Sequence, residues 1–169
     1  MRHLAILAAI GILAAACGGP AAAPSPTPSP SPSPSPTPAN VFKAELKSSN
    51  QSPPITDAEA SCTGNATVTF TGTSAKFDVT ISGCPASTVI NIGHIHEGAA
   101  GVNGPVKIDS TLKAGDLTLT GGGATFSKTN SSADPAVISA VMANPAGYYV
   151  NFHSAAHGAG VIRGQLTKG

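Results

Sequence analysis

Tryptophan is absent from this 169-residue chain, and only five Phe and two Tyr stand in its place. So few aromatic rings exclude a carbohydrate platform or a base-stacking surface as the main functional device. Charge is also scarce, at 10% of residues. Beyond Cys17, with Arg2 left behind, the basic and acidic residues balance, and no basic run remains. A neutral chain of this kind has no electrostatic footprint for nucleic acid and little attraction for anionic lipid. Scarcity of charge does not here mean disorder. Hydrophobic residues make up 41% of the chain, enough to bury a core.

The N-terminus has the three parts of an export leader. Met1-Arg2-His3 is a short basic start, and 4–16 is an apolar run broken only by Gly11. Such a run is too short to cross a bilayer, which takes about 20 residues, and has the length of a signal-peptide core. Ala14-Ala15-Ala16 then precede Cys17. This string resembles the bacterial lipobox, with Leu13 four places before the Cys rather than three. The resemblance implies a lipid on Cys17 that anchors the chain to a membrane on the extracytoplasmic side of the cell envelope. Gly18-Gly19 offer no acidic retention signal, which favours the outer membrane in a cell that has one. The competing reading is ordinary cleavage after the alanines, leaving a soluble exported protein.

Residues 17–39 are a linker. Nine prolines fall within 20–39, alternating with Ser, Thr and Ala. That density forbids helix and sheet and favours polyproline II, which at about 3.1 Å per residue spans roughly 60 Å. The segment reads as a stiff spacer holding residues 40–169 away from the membrane.

Three cysteines are present. With Cys17 given to the lipid, Cys62 and Cys84 remain, and in an oxidising compartment a disulfide is the default for such a pair. Their spacing fits no zinc-thiolate pattern.

Period-two alternation governs residues 40–169. Ala66, Val68 and Phe70 alternate with Thr67, Thr69 and Thr71, and Ala75, Phe77, Val79 and Ile81 alternate with Lys76, Asp78 and Thr80. Further strands are expected at 41–47, 89–96, 106–109, 117–126 with an interruption at Gly121-Gly122-Gly123, 148–153 and 161–166. One helix is expected at 136–143, with Asp134 as N-cap and Pro135 in the first turn. Many short strands and a single helix indicate an all-β fold, a sandwich.

Four histidines lie in this region, at 94, 96, 153 and 157. Val150 and Phe152 claim the core side of their strand, which puts Asn151 and His153 on the outer side. Ile162 and Leu166 do the same for theirs, which leaves Arg163 and Gln165 outside. Strict alternation would set His94 and His96 beside Ile90 and Ile92. A bulge at Gly93 resolves the conflict and turns both imidazoles outward. The expectation is one outward polar face carrying His94, His96, Asn151, His153, Arg163 and Gln165.

Three motifs carry a family resemblance: HIHEGAAGVNGPV at 94–106, YYVNFH at 148–153 and VIRGQL at 161–166. Their order and spacing resemble the CHRD domain, named after chordin and also found in bacterial secreted proteins, here in a bacterial lipoprotein form. The resemblance spans about 41–168. It implies an immunoglobulin-like antiparallel β-sandwich and a binding or structural module without catalytic activity. The polar face would then hold an extracellular protein partner, or brace the last strand to the His-x-His strand. Arg163 would pair with Glu97 or cap carbonyls.

The alternative is a metal site. His-x-His on a strand puts two imidazoles on one side, and His153 from a neighbouring strand completes a copper or zinc triad, with His157 in reserve. No other cofactor is indicated. The string Gly93-His94-Ile95-His96-Glu97 is similar to the copper-binding strand of Cu/Zn superoxide dismutase, but the chain has too few histidines for two metals. Hydrolase, phosphate-loop and paired-carboxylate chemistry lack their motifs.

Overall fold

A computed structural model describes residues 40–169. The expected leader at 1–16, Cys17 and the linker at 17–39 lie outside the described residues. Nine strands and one helix follow in order: β1 Asn40–Lys47, β2 Thr63–Thr71, β3 Ser74–Ser82, β4 Ile90–Glu97, β5 Val106–Asp109, β6 Ala124–Asn130, α1 Pro135–Ala143, β7 Tyr148–Ser154, β8 Ile162–Gln165 and β9 Thr167–Lys168. No helix among the described residues is long and apolar enough to cross a membrane.

All strand pairs are antiparallel, in the order β5-β4-β7-β8-β1-β2-β3-β6, with β9 beside β1. The sheet folds over so that its two halves share one core. Phe152 of β7 meets Phe126 of β6 edge to face, with centroids 5.7 Å apart. The outer strands also approach each other, and Asn130 Nδ2 donates to the Asp109 carbonyl at 3.0 Å. The result is a β-sandwich on the verge of a closed barrel.

Alternation drives this arrangement. Phe42, Ala44 and Leu46 of β1, Val68 and Phe70 of β2, and Phe77, Val79 and Ile81 of β3 are buried, while Lys43, Glu45, Lys76 and Thr80 between them are exposed. Each large apolar side chain so buried contributes about 1.5–3 kcal/mol. Gly72, at φ 58°, turns the β2–β3 hairpin. Cys62 and Cys84 are disulfide-bonded and close the open end of that hairpin, beside the paired Thr63 and Ser82. In the chain-entropy model a loop of 22 residues contributes about 3 kcal/mol.

The helix forms where expected. Asp134 Oδ1 accepts from Ala136 N at 2.8 Å, and Ile138 and Val141 are buried. The strand expected at 117–126 is displaced to Ala124–Asn130. Gly121 and Gly122, at φ 60° and 79°, take the left-handed conformation that suits glycine and turn the chain back on itself. Gly122 O also accepts from Cys84 N at 3.0 Å. Leu117 and Leu119 still pack on the core, from a loop.

Candidate functional site

The polar residues singled out in the sequence lie on adjacent strands. Register sets His94 opposite Asn151, His96 opposite Tyr149, Asn151 opposite Arg163 and Tyr149 opposite Gln165. The bulge that aligns them sits two residues before the expected Gly93. Ile90 pairs with Ser154 and Ile92 with His153, so Asn91 is the extra residue. Ile90 therefore points into the core, and Ile92 is turned to the face of His94 and His96. Gly93 returns to the core side. A Cβ there would overlap the edge of the Phe152 ring and stand 3.1 Å from Ser110 Oγ.

The shared face is not an outward surface. Asn151 and Arg163 are 2% exposed, His153 7% and His96 8%, while His94 is half-buried. Every residue of β7 is buried. Alternation fixes the side of the sheet but says nothing about what covers it. Here the segments 48–52, 98–104 and 155–160 do so.

Three of the expected residues hold that cover in place. Arg163 Nη1 donates to Asn103 Oδ1 at 2.9 Å and Nη2 to Val102 O at 3.0 Å. Its guanidinium carbon stands 3.8 Å from the centre of the Tyr149 ring. Gln165 Nε2 donates to Gly98 O at 2.6 Å and Ala146 O at 2.7 Å. The Asn151 and Gln51 amides meet at 2.8 Å, and Asn151 Nδ2 donates to Ala159 O at 3.2 Å. Arg163 thus caps carbonyls, as one reading of the sequence held. It does not pair with Glu97, which is bridged to Lys107 at 2.8 Å. Tyr149 and Gln51 were not among the expected site residues. Tyr149 had a signal, since it lies two positions from Asn151 on the same face, whereas Gln51 comes from a segment without periodicity.

The histidines do something different. His96 Nδ1 is 2.9 Å from the Gly104 carbonyl, and His153 Nδ1 is 2.9 Å from the Gly158 carbonyl. A carbonyl only accepts, so both Nδ1 atoms carry the proton and both Nε2 atoms present a lone pair. His153 Nε2 faces His94 Nδ1 at 3.2 Å, with Asn151 Nδ2 at 3.5 Å. His96 Nε2 is buried and has no partner. One nitrogen from each ring lies within 4.8 Å of the others. The His96 ring is stacked on Tyr149, 10° from parallel with centroids 5.0 Å apart. His157 is elsewhere, its Nε2 2.9 Å from Asp57 Oδ2.

Burial pushes the pKa of all three clustered imidazoles below the usual histidine value. The neighbouring His153 lowers His94 further, and Asp109 opposes it. For His96 the Gly104 carbonyl opposes the shift and Arg163 adds to it. For His153 the Gly158 carbonyl opposes it and His96 adds. Neutral His96 and His153, with Nδ1–H held by a carbonyl and Nε2 turned into the cluster, are in the state that binds metal, and the carbonyls are the outer partners that metal-bound histidines take. The residues present therefore fit a metal ion.

The CHRD domain family model matches residues 42–166, which takes in all of these side chains. No curated protein and no solved structure matches the chain.

Proposed function

The chain belongs to the CHRD domain family, and on that premise we propose that it is an extracytoplasmic binding module that takes up one copper or zinc ion between His94, His96 and His153. One observation carries this reading: the buried Nε2 of His96 has no partner and lies in a group with nitrogens of His94 and His153. An unmet buried acceptor costs about 1–3 kcal/mol. A purely structural brace has no use for it, and a metal ion removes the cost. A protein partner, the other ligand that the resemblance admits, would find Asn151 and Arg163 already beneath loops. The role is binding rather than catalysis. Titration of the full chain with Zn(II) or Cu(II) tests it. One equivalent of either ion, or of Cu(I) under anaerobic conditions, held with Kd below about 1 µM, or about −8 kcal/mol, supports the reading, and no saturable binding of any of them refutes it.

The place of work is proposed from the leader. Lipid on Cys17 and the proline-rich spacer would hold the module on the outer side of a membrane. Replacing Cys17 with Ala is expected to move the protein from the membrane to the soluble fraction. Unchanged fractionation of the variant would remove the anchor from the account.

A further inference from the structure

We propose that the three-histidine site selects the monovalent ion Cu(I) over Cu(II) and Zn(II). This rests on the metal reading above and narrows its ligand to one charge class. The first ground is the ligand set. The atoms that converge belong to three imidazoles, with no carboxylate or thiolate among them. Neutral ligands leave the full charge of the ion to be carried in a largely buried site. The cost of burying an ion rises with the square of its charge, so a dication is penalised far more than a monocation.

The second ground is the fixed charge beside the site. Arg163 is 2% exposed, and its side-chain hydrogen bonds go to Asn103 Oδ1 and to the Val102 and Ala99 carbonyls. None of these partners is an anion, and no salt bridge to Arg163 occurs among the described residues. The guanidinium lies on Tyr149, and Tyr149 lies on His96. The two stacking distances put this cation no more than about 9 Å from the His96 ring. At an effective dielectric of about 20, a unit charge at that range weakens binding by roughly ten- to twentyfold for each positive charge on the ion.

The nearby acids do not cancel it. Asp109 faces His94 across the β4–β5 pair, but it is exposed and its Oδ1 accepts from Thr111 N at 2.6 Å. Water screens such a charge much more than it screens a buried one. Glu97 is engaged with Lys107. Asp57 is engaged with His157, and Glu59 accepts from Ser154 Oγ at 2.5 Å. Coordination number points the same way. Zinc takes four ligands, so three histidines would leave it a fourth position to be filled by water, whereas Cu(I) is satisfied by three neutral nitrogens.

The test uses the full chain. Cu(I) affinity is measured anaerobically against bicinchoninate, Cu(II) and Zn(II) affinities against competing chelators, and the potential of the bound copper is measured directly. Cu(I) is expected to bind at least tenfold tighter than Cu(II). That preference corresponds to a potential at least about 59 mV above the aqueous couple. Arg163→Met is expected to narrow the preference by about tenfold, and Arg163→Lys to keep it, a difference that a purely structural role would not produce. Stoichiometric Zn(II) or Cu(II) binding tighter than Cu(I) overturns the selectivity and leaves the metal site standing. Failure of all three ions to bind overturns both. The wild-type measurement decides the matter even if Arg163→Met does not fold.

Discussion

Changing His94 and His96 together to alanine is expected to lower metal affinity by at least about a thousandfold, because the variant keeps one ligand of three. Each tenfold in affinity is about 1.4 kcal/mol, so two lost metal–nitrogen bonds at about 2 kcal/mol apiece reach that factor. The fold should survive. His94 is half-buried and gives up its Nδ1 contact with His153 Nε2, and His96 gives up a hydrogen bond to Gly104 O and its stack on Tyr149. Those contacts are worth about 1–2 kcal/mol in all. His157→Ala is the control. It removes a histidine bonded to Asp57 outside the cluster and should leave affinity within about twofold. Competition titration of the three proteins checks the outcome, with unfolding midpoints beside it. Unchanged affinity in the double variant would mean that the ion sits elsewhere.

Gly93→Ala is expected to destabilise the domain by about 2–3 kcal/mol, at the upper end of the range for overpacking. The added methyl would overlap the Phe152 ring. That ring is fully buried and packed against Phe126, so it has nowhere to swing. The effect should reach the site as well, since Gly93 lies between Ile92 and His94 on β4 and pairs with Phe152 itself. Phe152→Leu in the same chain gives the methyl room. The double variant should then be more stable than the sum of the single losses, with a coupling of about 1 kcal/mol or more. Urea unfolding of the four proteins measures it. A Gly93→Ala loss no larger than that of an ordinary surface substitution, about 0.5 kcal/mol, would mean that the strand carries slack there.

Much of this geometry is legible in the sequence, and the rest fails for identifiable reasons. Alternation in Val150-Asn151-Phe152-His153 and in Ile162-Arg163-Gly164-Gln165 assigns each side chain to its face, because a strand allows only two choices. The conflict between Ile90, Ile92 and the two histidines announces a bulge. Its place does not follow from the pattern. Gly93 looks like the site of irregularity, yet glycine is needed there because Phe152 occupies the space, and the extra residue is Asn91. The burial of Asn151 and Arg163 comes from the loops around Gln51, Asn103 and Ala159, whose positions depend on tertiary hydrogen bonds that no periodicity encodes. The strand placed at 117–126 breaks at its marked interruption, and only its end, from Ala124, pairs. Leu117 and Leu119 are apolar at alternate positions, but Gly121 and Gly122 turn the chain before it can pair.

The convergence of His94, His96 and His153 on one ion is tested most directly by X-ray absorption of the copper- or zinc-loaded full chain. The account predicts three nitrogen scatterers with imidazole outer shells, at about 2.0–2.1 Å for zinc. A metal shell with fewer than two imidazoles, or one made of carboxylate oxygens, would contradict it.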